Sequence, residues 1–135
     1  MTESSWMETA REILEGIGLA RHLGFELVEV TEESAVMTVV VDGRHGNYRG
    51  GLHGGALAAL VDTVAFFPGR LLPSGRKLTT EGLEVHFMRP ASPGQRVTAR
   101  AEILRLGRRV ATVQVQCRDD LGRLLSHAVA TLLTL

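Results

Sequence analysis

The chain is poor in cysteine: Cys117 is the only one in 135 residues. That excludes an internal disulfide framework and fits a reducing compartment. It lacks charge of one sign, because 15 basic and 15 acidic residues cancel. A balanced chain argues against nucleic acid as the main partner. Lysine is almost missing. Lys77 is the only one, and every other basic residue is arginine. Arginine suits planar, bidentate recognition of phosphate, although genomic composition would give the same bias. There is no long hydrophobic run. The longest is interrupted by Asp62 and is too short to cross a bilayer. Glu3 and Glu8 stand where a secretory signal would carry basic residues and then an apolar run. The expectation is a soluble, cytoplasmic chain with no membrane partner. Repeats, linkers and low-complexity segments are also missing, so residues 1–135 read as one domain with a sizeable core.

What is present falls into alternating patterns. Ser5-x-x-Glu8 has the form of a capping box. Behind it Trp6, Ala10, Ile13, Leu14 and Ile17 recur at helical spacing, which predicts an amphipathic helix over 5–16, stopped by Gly16 and Gly18. We expect it on the outside of the domain. Leu23-Gly24 predicts a turn. Two strands follow, at 25–30 and 35–41, then a polar, glycine-rich loop over 42–51. Pro68 should break the helix that comes next, with a further turn at 70–72 and a clear break at 73–75. From Lys77 the pattern is strand throughout. Leu83, Val85 and Phe87 alternate with Glu84 and His86, which we read as solvent-facing. Ala111, Val113, Val115 and Cys117 alternate with Thr112, Gln114, Gln116 and Arg118. Cys117 is therefore read as core filler. The expected class is α+β: a six-stranded antiparallel sheet, its late strands neighbours in sequence order, curled around one helix.

That helix is the centre of the argument. Asn47-Tyr-Arg-Gly-Gly-Leu-His53-Gly54-Gly55 feeds into Ala56-Leu-Ala-Ala-Leu-Val-Asp62-Thr-Val-Ala-Phe-Phe67. The helix is apolar on every side, as buried helices are. One sheet cannot cover all of it, so part should meet a second subunit. Asp62 in its middle is costly to bury without a partner or a task. A glycine-rich helix start holds negative charge on its N–H groups. Gly54 and Asp62 lie about 12 Å apart along the axis, at about 1.5 Å per residue. One carbonyl cannot be served by both from the same helix. Two antiparallel helices across a two-fold axis would bring the acid of one chain to the glycine of the other.

The stretch His53-Gly-Gly-Ala-Leu-Ala-Ala-Leu-Val-Asp62 with Asn47 upstream resembles the hotdog-fold acyl-CoA thioesterases of the phenylacetic-acid-degradation (PaaI) type. Leu83-Glu-Val-His-Phe-Met-Arg-Pro90-Ala, Leu104-Arg-Leu-Gly-Arg-Arg-Val110 and Asp120-Leu-Gly-Arg-Leu124 agree in order and spacing. The likeness runs from about Leu23 to the C-terminus. It implies a sheet wrapped around a central helix, a homodimer that often pairs into a tetramer, and hydrolysis of acyl-CoA with neither cofactor nor metal.

By that resemblance Asp62 is the catalytic acid, as nucleophile or as base on water. Gly54 is the oxyanion donor, backed by the positive end of the helix. Asn47 orients the thioester or the water, against a plain loop-turn role. Thr80 helps to place the water. His53 sits beside the hole, where capping or stiffening the loop is favoured over a base role. Gly55, Arg89, Pro90, Arg105, Gly107, Arg108 and Arg109 fall in segments that carry CoA, with solvated arginines as the plain alternative. Two other readings compete: a hydroxyacyl-thioester dehydratase, and a non-catalytic acyl-CoA-binding module, which would need no Asp62.

Overall fold

A computed structural model describes residues 2–72 and 77–135; the expected break at 73–75 falls outside the described residues. The first helix, α1 (Glu3–Glu15), starts ahead of the expected 5–16. Thr2 is its N-cap, and the Thr2 hydroxyl accepts from the Ser5 N–H at 3.2 Å. Ser5 is thus a capped residue, and the Ser5-x-x-Glu8 box does not form. Nor does Gly18 stop a helix. It opens a second one, α2 (Gly18–Leu23), which Gly24 closes at φ 74°, the left-handed conformation that glycine adopts freely. Leu19, Ala20, Arg21 and Leu23 are good helix formers, and burial of Ala20 and Leu23 holds this short helix in place.

Six strands form one antiparallel sheet: β1 (Glu26–Val30), β2 (Ser34–Val40), β3 (Leu78–Phe87), β4 (Arg96–Leu106), β5 (Val110–Arg118) and β6 (Leu124–Thr134), in spatial order β1-β2-β4-β5-β6-β3. The α+β class and the antiparallel sheet are as expected. The sequence-order pairing is not, since β3 lies beside β6 and not beside β4. The reason is the length of the connections. Short turns after β4 and β5 force a β4-β5-β6 meander. The other flank of β4 is taken by β2, so the outer edge of β6 is the place left for β3.

The third helix, α3 (Gly54–Val64), touches β2, β3, β4 and β5, so the sheet curls around it. Leu57, Leu60, Val61 and Val64 are buried. Each such side chain contributes roughly 1.5–3 kcal/mol. The sheet surface beneath is built largely from small residues: Ala35, Ala99, Ala101, Ala111, Ala128 and Ala130 are all buried. Small side chains let sheet and helix approach closely. The helix is not buried on every side, however. Ala56, Ala59, Asp62, Thr63 and Phe66 form a half-buried stripe. Ala65 caps α3 ahead of Pro68, and a turn of 3-10 helix follows at Gly69–Leu71. Cys117 is fully buried, and burial pushes its thiol up to about 11.

Candidate active site

The loop before α3 is tied at three levels. Asp42 accepts from the Arg44 backbone and from its guanidinium, at 2.8 to 3.2 Å. These bonds hold the Asp42 carboxyl down at about 2. His45 is buried and bridges two segments. Its Nδ1 accepts from the Asp42 N–H at 3.0 Å, and its Nε2 donates to the Leu23 carbonyl at 2.6 Å. The partners fix that tautomer. The His45 carbonyl in turn accepts from the His53 N–H at 2.6 Å. Sequence reasoning missed His45; a lone loop histidine gives no pattern by which to find it.

Asn47 closes the loop on itself. Its Oδ1 accepts from Arg49 N–H at 2.8 Å and Gly51 N–H at 3.1 Å. Its amide group reaches the Leu52 carbonyl at 3.5 Å. In this chain the carboxamide serves the loop. Beyond it, Tyr48 is almost fully exposed, with the Arg49 guanidinium 5.2 Å from its ring centre.

His53 is the N-cap of α3, and its Nδ1 accepts from the Gly55 N–H at 2.7 Å. Ala56 and Leu57 N–H both go to the His53 carbonyl. The Gly54 N–H is left without a partner among the described residues. It stands at the positive end of the helix. A Cβ on Gly54 would lie 3.4 Å from the Phe87 ring. Gly54, Leu57, Phe87, Met88, Arg89 and Pro90 line a cleft of about 410 Å³.

Asp62 faces a different cleft, of about 430 Å³, whose described lining is apolar apart from Asp62 and Thr63. The Thr80 hydroxyl donates to Asp62 Oδ1 at 2.6 Å. Asp62 Oδ2 keeps no hydrogen-bond partner among the described residues. Thr80 reaches the acid because β3 carries a bulge between Thr80 and Gly82. Thr80 opposes the buried Leu132, and past the bulge Leu83 opposes the buried Ala130. Both therefore face inward, although one is even-numbered and the other odd. Glu84 and His86 stay exposed and pair with each other at 3.1 Å, as expected of a solvated face.

The candidate CoA residues divide between the two ends of α3. Arg89 and Pro90 lie with Gly54. Arg105, Gly107, Arg108 and Arg109 lie on the β4–β5 hairpin, level with Asp62, since Thr80, Leu132, Ala111 and Leu106 form one row across the sheet. At Gly107 a Cβ would lie 3.0 Å from the Val110 carbonyl oxygen, a tight contact with backbone. Gly55 is committed to His53. One chain thus gathers Asp62 with Thr80 and, separately, Gly54 with Arg89. Among the described residues no three His, Cys, Asp or Glu side chains converge as metal ligands would. No helix among them is long and apolar enough to cross a membrane.

Sequence reading also missed the walls of the Asp62 cleft. The lining includes Ile13 from α1, together with Ile17 and Leu19 from the N-cap and first turn of α2, which was not foreseen. The first helix is not merely an outer support.

Residues 49–126 match the family model of the thioesterase superfamily. A putative esterase of Haemophilus influenzae is 33% identical over 112 residues, 82% of this chain and 80% of that protein. The acyl-coenzyme A thioesterase PaaI of Escherichia coli is 26% identical over 116 residues, covering 86% of this chain and 81% of the relative. In three dimensions, the E. coli PaaI protein of the phenylacetic acid degradation operon superposes with a TM-score of 0.91 at 20% identity, over 100% of this chain and 96% of that one. A family match over more than half the chain, joined to the same six-stranded sheet around one helix, leaves one placement: this chain belongs to the thioesterase superfamily and is a hotdog-fold thioester hydrolase of the PaaI type.

Proposed function

We propose that the protein hydrolyses acyl-CoA thioesters at composite sites formed between two copies of the chain. The observation that carries this reading is the separation of the acid from the amide. Asp62 and the unpartnered Gly54 N–H open into different clefts about 12 Å apart on one helix. The half-buried stripe of α3 that includes Asp62 is the natural place for a second α3 to pack antiparallel.

In that arrangement the thioester carbonyl accepts from the Gly54 N–H of one copy, with the helix dipole behind it. Asp62 of the other copy presents Oδ2, while Thr80 holds Oδ1. Oδ2 attacks the carbonyl carbon, or takes the proton of a water that does. The tetrahedral oxyanion collapses, the carbon–sulfur bond breaks and CoA leaves as thiolate. On the first route water then hydrolyses the acyl–Asp62 anhydride, and on both routes the free acid is the other product. Asn47 and His53 hold the loop and the helix start in register. Arg89 on one side and the 105–109 hairpin on the other suit the CoA phosphates.

The test is release of free thiol from acyl-CoA. Asp62→Asn should lower turnover about a hundredfold to ten-thousandfold with unchanged folding. Turnover by the variant at the wild-type rate would move the chemistry elsewhere. A protein that is monomeric while active would remove the composite site. Conversion of a hydroxyacyl-CoA to its enoyl thioester, with no thiol released, would favour dehydration.

A further inference from the structure

We infer that the Asp62 cleft is the acyl pocket, that it takes an acyl group without polar substituents and of limited length, and that Ile13, Ile17 and Leu19 set that limit. The inference rests on the thioesterase reading above and adds the substrate class.

Three observations carry it. First, the cleft holds the acid, so a group bound there has its reacting carbon beside Asp62. Second, apart from Asp62 Oδ2 at the reacting end, the polar side-chain atoms of its described lining are already engaged. The Thr63 hydroxyl donates to the Ala59 carbonyl at 2.7 Å, and Asp62 Oδ1 accepts from Thr80. A hydroxyl or charge deep in the acyl group would meet Ile13, Ile17, Phe66, Leu71 and Leu72 and find no partner there among the described residues. Third, Leu19 is 54% exposed on the wall of this cleft. An apolar occupant would cover it.

The volume of about 430 Å³ sits in the lower part of the roughly 300–1,000 Å³ range of small-molecule sites. That size suits a medium alkyl chain or one unsubstituted ring. Ile13, Ile17 and Leu19 lie outside residues 49–126, the part matched by the family model. The acid therefore comes from the family's common region, and the wall opposite it from a segment outside that match.

The experiment measures kcat/KM for unbranched acyl-CoA esters from acetyl to dodecanoyl, and for one omega-hydroxylated ester. Wild type, Ile17→Ala, Ile17→Trp and Leu19→Trp are compared. Ile17→Trp should lower kcat/KM for the longest favoured ester about tenfold or more relative to its effect on acetyl-CoA. Ile17→Ala should shift the preference to longer chains. Leu19→Trp alters an exposed rim residue, so it keeps the test valid should the Ile17 variants fold poorly; it too should shorten the preference. The hydroxylated ester should be poorer than its parent by about tenfold to a hundredfold.

Parallel losses at all chain lengths in every variant, or a hydroxylated ester used as well as its parent, would overturn the pocket assignment. If wild type releases no thiol from any ester, the thioesterase reading falls by itself. Calorimetric binding of decanoate then decides the pocket: binding weakened by Leu19→Trp supports it, and no binding, or binding that is unaffected, overturns it.

Discussion

Thr80→Val tests whether the hydroxyl over Asp62 serves the reaction. Valine keeps the shape and suits a strand, but removes the donor that sits 2.6 Å from Asp62 Oδ1. A hydrogen bond to a charged group is worth roughly 1.5–3 kcal/mol. If it acts fully in the transition state, at about 1.4 kcal/mol per tenfold, its loss lowers kcat/KM roughly tenfold to a hundredfold. Stability should change little, because Asp62 is only half-buried and water can replace the hydroxyl. Thr80→Ser, which keeps the donor, should recover most of the activity. Thiol release is measured across acyl-CoA concentrations for all three proteins, alongside thermal unfolding. Full activity in Thr80→Val would refute the reasoning, as would a serine variant as impaired as the valine one.

Three further outcomes follow from the same geometry. His45→Ala should destabilise the protein by roughly 2–4 kcal/mol, since it leaves the Leu23 carbonyl and the Asp42 N–H unpaired beside a buried void; a chemical denaturation midpoint close to that of wild type would count against this. Asp42 is held below its usual carboxylate value by the Arg44 side chain first and the Arg44 backbone next. A depressed folded value means that its contribution is complete above about pH 4 and fades as pH falls towards about 2. Asp42→Asn should therefore be less stable than wild type at neutral pH, and the gap in urea midpoint should close over that acid window. Cys117 is buried with its thiol raised to about 11, so the native protein should not react with a thiol dye at pH 8, and one equivalent should appear only on unfolding.

Several features could be read without coordinates because they rest on local chemistry. A helix this apolar had to be central, and the carboxylate at Asp62 had to be satisfied or used; it is held by Thr80. The period-two run of β5 placed Cys117 in the core, and it is there. Glu84 and His86 were assigned to solvent from alternation, and they are exposed. Other features depend on contacts between distant segments. The extra helix α2 is held in place by the burial of Ala20 and Leu23, which no local pattern announces. His45 is fixed by the Leu23 carbonyl, 22 residues away.

The sequence by itself determined the types of the longer elements, the antiparallel character of the sheet and the pairing of a glycine-rich helix start with a mid-helix acid, because periodicity, glycine and a misplaced charge act over a few residues. Only the tertiary structure decided which strands are neighbours and which side chain meets that acid. Strict alternation would turn Thr80 outward with Glu84 and His86, and a single bulge in β3 reverses the phase and turns it onto Asp62. A one-residue shift of that kind changes no composition and no local propensity, so it is settled by pairing with β6, far along the chain.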